Sequence, residues 1–294
     1  MRRSGGLDWS REGKSWPHAQ HSRFVQAGGL RWHIQQMGDG PVLLLLHGTG
    51  ASAHSWRHLA PMLAERHTVI VPDLPGHGFT QGARRQGLGL PAMAGSVAAL
   101  LDVLEMRPLA VVGHSAGAAI LIRCCLDGLI CPKAVISING ALLPFRGPAG
   151  YLFPPLAKLM FINPLTARLF ARSAIDRDRV ARLIRGTGSE LDKAGIDLYA
   201  RLLSSPDHIA ATLGMMAHWN LQRLAHDLPE LAVPLLLLAT ARDKAVAPSQ
   251  AEQLARLVPG SRSLCLPDLG HLAHEENPRA VLEPVLEFIA SVPA

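Results

Sequence analysis

Five residues, Gly113-His-Ser115-Ala-Gly117, place a serine between two glycines in the pattern Gly-x-Ser-x-Gly. The apolar run Leu109 to Val112 before them predicts a strand, and the stretch Ala118 to Leu126 after them predicts a helix. A strand that turns sharply into a helix strains its central residue, and small neighbours let the two backbones pass. The pattern therefore predicts a nucleophile elbow with Ser115 as the attacking group.

A serine nucleophile needs a base to accept its proton and a buried carboxylate to orient that base, in the chain order serine, acid, histidine. The apolar run Val233 to Ala239 predicts a buried strand, and Asp243 follows shortly after it. A helical segment and a short strand come next, and His271 lies on the following loop. Because the carboxyl ends of parallel strands meet in one crevice, the three side chains can converge. The sequence predicts a catalytic triad of Ser115, Asp243 and His271.

Acyl transfer at a serine also needs two N–H groups that stabilise the negative charge developing on the substrate oxygen. The turn His47-Gly-Thr-Gly50 follows the apolar run Pro41 to Leu46, so it lies at the carboxyl end of a predicted strand. We expect the backbone amides of Thr49 and of Ala116, the residue after the nucleophile, to be these oxyanion donors. Neither role depends on a side chain.

The same turn also fits a competing pattern, the G-x-G-x-x-A of dinucleotide-binding proteins, at Gly48 to Ala53. Asp73 ends the next predicted strand about 20 residues further on, where a ribose-binding carboxylate is expected. This alternative leaves the elbow, Asp243 and His271 without a role, whereas a hydrolase also explains Asp73 to Gly78 as a tight turn. We therefore favour the hydrolase interpretation and predict no cofactor.

The positions that match a known pattern lie at the ends of the predicted strands: His47-Gly48, Asp73 to Gly78, the Ser115 elbow, Asp243 with Val246 and Pro248, and Gly270-His271. Together they resemble the α/β-hydrolase superfamily over nearly the whole chain. The resemblance implies an α/β fold with a mostly parallel sheet, helices on both faces and a helical cap insertion. One departure is Ala239-Thr-Ala-Arg242, where relatives often have glycine; it concerns the turn rather than the acid.

Five segments carry a more specific resemblance: Trp16 to Phe24, Gly28 to Trp32, Leu46 to Ser52, Ile138 to Phe145 and Leu213 to Trp219. They resemble the bacteriochlorophyll-synthesis subfamily, the magnesium-chelatase accessory proteins of phototrophic bacteria. The resemblance implies a role near magnesium insertion into protoporphyrin IX, with a porphyrin as small-molecule substrate and chelatase subunits as partners. No G-x-x-x-x-G-K-[ST] motif occurs, so this chain is not expected to bind the ATP that drives insertion.

The length of 294 residues, 48% of them hydrophobic, suits one large α/β domain with an insertion. Residues 21–143 and 231–294 are predicted to form the core. Residues 1–20 are polar and are expected to be poorly ordered. Residues 144–230, between two predicted strands, are too long for an ordinary crossover and have helical patterning, which predicts a helical cap.

Two parts of the predicted cap could contact a porphyrin, which joins a flat apolar ring to propionate groups. Tyr151 to Pro164 could form an apolar lid, and Arg168 to Arg185 a carboxylate-binding rim. The alternative is structural: the apolar residues dock the cap on the core, and the arginines pair with Asp176, Asp178 and Glu190. The sequence leaves both interpretations open.

Composition limits the cellular compartment and the binding partners that the protein is expected to have. No apolar run approaches the roughly 20 residues that cross a bilayer, and the N-terminus lacks the apolar core of a signal peptide. The four cysteines show neither metal-ligand nor disulfide-scaffold spacing, which favours a cytoplasmic protein. The net charge of +6 favours a solvated basic surface, with peripheral membrane contact as the alternative, and no nucleic-acid motif occurs.

The remaining histidine clusters favour structural roles. His54 and His58 stand one helical turn apart, but no third ligand accompanies them, so no metal site is predicted. Met215 to Trp219, which includes His218, is expected to belong to a packed cap helix. His77 and His114 are expected to shape the pocket.

Two classes of function remain open and differ in whether Ser115 reacts. The first is a serine hydrolase acting on an ester or related carbonyl, either in pigment synthesis or as a general esterase outside it. The second is a protein of the same fold that holds and delivers a porphyrin without catalysis, because fold does not dictate function. A third, weaker alternative is cofactor-independent chemistry on a tetrapyrrole substituent. The intact triad favours the first, and magnesium insertion, which requires no acyl transfer, favours the second.

Overall fold

The computed structural model describes residues 6–82, 85–144, 164–173 and 176–292. One sheet runs through these residues. Its eight strands are β1 (Ser22–Ala27), β2 (Leu30–Met37), β3 (Val42–Leu46), β4 (Thr68–Pro72), β5 (Ala110–His114), β6 (Ala134–Ile138), β7 (Leu235–Thr240) and β8 (Arg262–Leu266).

The strand order in the sheet is β1-β2-β4-β3-β5-β6-β7-β8. Strand β2 is antiparallel to β1 and β4, and all other pairings are parallel. The central strands are buried along almost their whole length and consist mostly of leucine, valine, isoleucine and alanine, because helices cover both of their faces. The mostly parallel α/β sheet predicted from the sequence is confirmed.

The α-helices of the described residues are α1 (Trp9–Glu12), α2 (Leu59–Leu63), α3 (Leu90–Leu104), α4 (Ala116–Leu126), α5 (Pro164–Ser173), α6 (Arg177–Gly186), α7 (Lys193–Leu203), α8 (Pro206–His218), α9 (Gln222–Asp227), α10 (Ser249–Leu257), α11 (Ala273–Glu276) and α12 (Pro278–Ser291). None of them combines the length and the apolar character that crossing a membrane requires.

The sheet separates two hydrophobic layers. Alternate residues of one strand enter opposite layers: Leu44 and Leu46 pack towards α3 and α4, whereas Leu43 and Leu45 pack towards α2 and α12. These side chains are fully buried. The two layers hold the carboxyl ends of the parallel strands in fixed positions, and the candidate site lies at that edge.

Helices α5 to α9 lie between β6 and β7, inside the predicted cap. A small apolar cluster joins this segment to the core, with Ile184 and Tyr199 packed against Ala51 and Leu272. The predicted apolar lid, Tyr151 to Pro164, lies outside the described residues except for Pro164. The boundaries at 144 and 230 remain a prediction.

From residue 6 onward, where the structure describes it, the N-terminal segment differs from the expectation of poor order. Residues from Trp9 to His21 form α1 and two short 3-10 turns, and the Trp16 side chain is only 3% exposed. Trp9 and Trp16 both contact the Phe79 ring edge-to-face, with centroids 4.9 Å apart in each pair. Two tryptophans in an otherwise polar stretch supply enough apolar area to dock it on the core.

Candidate active site

Ser115 lies at the turn from β5 into α4 and has φ 51° and ψ −117°, a conformation that costs energy for any residue with a side chain. Its backbone is held on both sides, since Ser115 N–H donates to Ile138 O at 3.0 Å and Ser115 O accepts from Ala118 N–H at 3.2 Å. A Cβ at Gly113 would collide with Ala118, and one at Gly117 with Leu46 O. The glycines let the backbones pass, as the elbow pattern predicts.

Asp243 and His271 form a buried pair on neighbouring loops. The His271 Nδ1 to Asp243 Oδ2 distance is 2.8 Å, and the Asp243 side chain is 1% exposed. Asp243 Oδ1 accepts the amides of Ala245 at 2.7 Å and Val246 at 2.9 Å, which fixes the carboxylate. A carboxylate at Nδ1 favours the tautomer in which His271 Nε2 is unprotonated and available as a base.

The loop bearing His271 is tied to the elbow. His271 O accepts hydrogen bonds from His114 Nε2 at 2.9 Å and from Asn139 Nδ2 at 3.0 Å. His114 precedes Ser115, and Asn139 follows the strand residue whose carbonyl accepts the Ser115 amide. The structure thus brings the predicted nucleophile and the predicted base-and-acid pair to the same edge of the sheet. The catalytic roles themselves remain a prediction.

The turn after β3 presents the first predicted oxyanion donor. Ala51 N–H donates to Gly48 O at 3.2 Å, and Gly50 has φ 79°, a geometry that favours glycine. A Cβ at Gly48 would lie 3.0 Å from the Ser115 Cβ, so this turn lies against the elbow. The Ala116 amide opens helix α4, where N–H groups and the helix dipole favour a negative charge. No backbone carbonyl in the described residues accepts either the Thr49 or the Ala116 amide.

His47 holds the oxyanion turn in place. Its Nε2 accepts the Leu74 amide at 2.9 Å, so Nδ1 carries the proton and donates to Gly48 O at 2.8 Å. The imidazole is fully buried, and burial lowers its pKa although the Asp73 charge acts to raise it. His47 is therefore neutral and structural, which the sequence alone did not reveal.

Asp73 is not a ribose-binding residue. Its Oδ1 accepts the Ala53 amide at 2.7 Å, and its Oδ2 accepts the Phe79 amide and His33 Nδ1, each at 2.8 Å. Burial acts to raise the Asp73 pKa, but His33, His47 and the Ala53 amide outweigh burial and hold it at about 2. The carboxylate clamps the loops after β3 and β4. A buried carboxylate with these partners is not available to a ribose, which disfavours the dinucleotide-binding alternative.

A segment of the cap region, residues 187–189, lies between the loop that carries Asp243 (the acid loop) and the loop that carries His271 (the base loop). Leu272 N–H, next to the base, donates to Ser189 Oγ at 2.8 Å, and Lys244 N–H, next to the acid, donates to Thr187 O at 3.0 Å. A Cβ at Gly188 would collide with the carbonyl of Arg242. Residues 187–189 therefore support both loops, and no sequence motif predicts this role.

A buried polar group lies behind the base. Glu275 forms an ion pair with Arg57 and accepts the Tyr199 hydroxyl at 2.7 Å. Burial raises the Glu275 pKa to about 7, although Arg57 and the Tyr199 hydrogen bond act to lower it. Because Tyr199 belongs to α7 and Glu275 to α11, this group links the cap region to the segment that carries His271.

The remaining candidates have structural partners. His54 is buried, hydrogen-bonded through Nδ1 to Ser52 Oγ at 2.7 Å, and the part of the chain that is described has no group of three potential metal ligands. Met215 is buried in the core. Arg177 pairs with Asp197, and Arg179 with Asp176 at 3.2 Å, so these two arginines follow the structural alternative for the rim.

The doubly covered sheet, the elbow and the paired acid and histidine define the class of protein. The chain belongs to the alpha/beta hydrolase family, whose model matches residues 43–283. A magnesium-chelatase 30 kDa subunit of Rhodobacter capsulatus is 42% identical over 263 residues, covering 89% of this chain and 92% of that protein. A pyrrolizixenacetamide deacetylase of Xenorhabdus hominickii is 31% identical over 264 residues, covering 86% and 92%.

Solved structures agree on the fold. The epoxide hydrolase CorEH has a TM-score of 0.78 at 23% identity and covers 92% of this chain and 98% of its own. The esterase EaEST from Exiguobacterium antarcticum has a TM-score of 0.75 at 19% identity, with coverage of 91% and 99%. At this identity the likeness concerns the fold alone.

Proposed function

We propose that this chain is a serine hydrolase that serves bacteriochlorophyll synthesis in an accessory role to magnesium insertion into protoporphyrin IX. The observation that carries the hydrolase assignment is the strained Ser115 elbow beside the buried His271–Asp243 pair, whose Nδ1 to Oδ2 distance is 2.8 Å. The pathway rests on the 42% identical relative named as a magnesium-chelatase subunit.

The proposed chemistry is acyl transfer. Ser115 Oγ attacks a carbonyl carbon while His271 Nε2 takes the hydroxyl proton, and Asp243 stabilises the imidazolium that forms. The Thr49 and Ala116 amides hold the oxyanion. His271 returns the proton to the leaving group as its bond to carbon breaks, and water then hydrolyses the acyl-serine by the same steps. A deacetylase among the relatives supports hydrolysis at an acyl group.

A porphyrin-related substrate is supported by the charges beside the acid loop. Arg185, Arg242 and Lys244 line an open cavity of about 370 Å³ together with Asp243 and Glu190. Arg242 lies 3.8 Å from Glu190, whereas no carboxylate in the described residues pairs with Arg185 or Lys244. Propionate groups of a tetrapyrrole would supply that missing negative charge.

The test is genetic and uses matched expression. A phototrophic bacterium that lacks this protein is complemented with either the native chain or Ser115→Ala. We expect the alanine variant to leave pigment low and to accumulate a tetrapyrrole precursor, whose structure identifies the bond that is cleaved. Full restoration of pigment by Ser115→Ala would contradict the catalytic proposal. It would favour the alternative, a non-catalytic protein that delivers a porphyrin.

A further inference from the structure

We propose that His208, on helix α8, is a positioning residue that fixes the oxyanion turn and so couples the cap region to the reactivity of Ser115. This inference rests on the proposed hydrolase function and deepens it. His208 lies far from the elbow in sequence and belongs to no motif. Its side chain is 1% exposed and lies between two loops at the carboxyl edge of the sheet.

One imidazole joins the two loops. His208 Nδ1 accepts the Gly78 amide at 3.2 Å, so the proton is on Nε2, which donates to Gly50 O at 3.1 Å. Gly78 belongs to the loop after β4, and Gly50 to the oxyanion turn after β3. Both ring nitrogens are therefore used, and both bonds depend on the same tautomer.

Gly50 is the part of the turn that most needs support. It has φ 79°. Its carbonyl belongs to the same peptide unit as the Ala51 N–H, which donates to Gly48 O, and Gly48 O belongs to the peptide unit that carries the Thr49 N–H. If the Gly50–Ala51 peptide rotates, the bond to Gly48 O is lost and the peptide that carries the Thr49 N–H is held less firmly. A hydrogen bond to Gly50 O from a rigid helix opposes that rotation.

Helix α8 contacts the turn through His208 and Met215, and Thr212 on the same face lies beside Gly50. His208 donates to Gly50 O, Thr212 Cγ2 would lie 3.4 Å from a Cβ on Gly50, and Met215 Sδ accepts the Thr49 hydroxyl at 3.5 Å. The spacing of four and then three residues is the spacing of one helical face. The helix is thus docked along the turn rather than touching it at one point.

The surroundings keep the imidazole neutral. Burial lowers the His208 pKa to about 4, although the Gly50 hydrogen bond and the Asp73 charge act to raise it. The His77 ring packs edge-to-face on it with centroids 5.2 Å apart. His208 therefore keeps one donor and one acceptor throughout the neutral pH range.

Two substitutions separate the two hydrogen bonds. In His208→Gln the amide nitrogen takes the place of Nε2 and can still donate to Gly50 O. In His208→Asn the shorter amide takes the place of Nδ1, so the Gly78 bond can persist while the Gly50 bond is lost. His208→Gln keeps the Gly50 bond and loses the Gly78 bond, and His208→Asn does the reverse. Slower reaction of His208→Asn than of His208→Gln therefore reports on the Gly50 bond.

The measurement is the second-order rate at which a fluorophosphonate labels Ser115 in the purified full chain, because the phosphonyl oxygen occupies the oxyanion position. We expect His208→Asn to label about 10- to 100-fold more slowly than native, below the cost of deleting one oxyanion donor. His208→Gln should stay within about 3-fold of native. His226→Asn, an exposed histidine on α9, is the control and should label like native.

Hydrogen exchange gives a second readout that does not need activity. Amides of residues 47–53 should exchange faster in His208→Asn than in His208→Gln. Equal labelling rates and equal exchange in the two variants would overturn the role of His208 while leaving the hydrolase proposal intact. Absence of native labelling above a Ser115→Ala background would instead overturn the hydrolase proposal, and the proposed effect on reactivity with it.

Discussion

At the scale of single residues, burial decides what the histidines do. His114 and His274 are fully or almost fully buried, and burial lowers the pKa of His114 well below its ordinary value and that of His274 to about 3. Neither ring nitrogen of His274 has a partner in the described residues, and its ring packs between Trp56 and His114. Such a residue stabilises the fold only while it is neutral.

This predicts how stability changes with acid. The folded pKa of His274, about 3, lies below the unfolded value of about 6.5, so its contribution is complete above pH 6.5 and is lost as pH falls towards 3. Replacing it with phenylalanine should remove on the order of 2 kcal/mol of the loss between pH 6.5 and 4.5. Urea unfolding at several pH values measures this. An unchanged pH slope in His274→Phe, with exposed His226→Gln as control, would contradict it.

At the scale of secondary-structure elements, the cap region acts as a brace for the triad loops. The Ser189 side chain is fully buried and accepts the amide of Leu272, the residue after the base. The loop from Thr187 to Glu190 therefore contributes to the geometry of the Asp243–His271 pair without contacting the predicted reacting atoms. Its two neighbouring loops come from β7 and β8, so the brace also connects those strands to helices α6 and α7.

Ser189→Ala should lower the free energy of unfolding by about 1 to 3 kcal/mol, because a buried N–H loses its acceptor. Ser204→Ala is the matched control, since Ser204 is exposed and its hydroxyl donates only locally to Arg201 O at 2.7 Å. Urea unfolding at neutral pH compares the two. An equal free energy of unfolding for the two variants would show that the hydrogen bond between Ser189 and Leu272 does not stabilise the fold.

The positions of β3 to β8 and the glycine pattern of the elbow could be predicted because they are local signals, whereas β1 and β2 were not predicted. The catalytic roles of Ser115, Asp243 and His271 stay a prediction. A buried strand is an apolar run, and the elbow needs glycine at two fixed positions. The structural roles of three residues could not be predicted, because each acts through a backbone group distant in sequence: His47, Ser189 and His208. The order of the segment that carries Trp9 and Trp16 could not be predicted for the same reason, because their partner Phe79 belongs to another loop.

At the scale of the whole molecule, the chain has a net charge of +6. Positive side chains outnumber carboxylates around the cavity beside Asp243. Arg185, Arg242 and Lys244 line one cavity beside the acid loop, and Glu190 is the exposed carboxylate among its lining residues. Surface attraction of this kind is weak per pair and is screened by salt, so it acts through several charges together.

We predict that Arg242→Glu with Lys244→Glu weakens binding of protoporphyrin IX roughly 5- to 10-fold at low salt, because two attractions become repulsions. The control is Arg107→Glu, whose side chain is 81% exposed and lies near the amino end of β5, at the opposite edge of the sheet. Fluorescence titration of the porphyrin measures both. Equal affinity of the double variant and the control would exclude the cavity as the carboxylate site.

The chain order of the site also has a consequence for biosynthesis. A ribosome delivers β1 to β6 and the elbow first, then the segment containing α5 to α9, and only afterwards the strands that carry Asp243 and His271. Until β7 pairs with β6, the nascent sheet has an open parallel edge, a template for unwanted strand pairing. Under the proposed function the nucleophile is made long before its base, so an incomplete chain carries an inert serine, and reactivity begins only when the last strands dock.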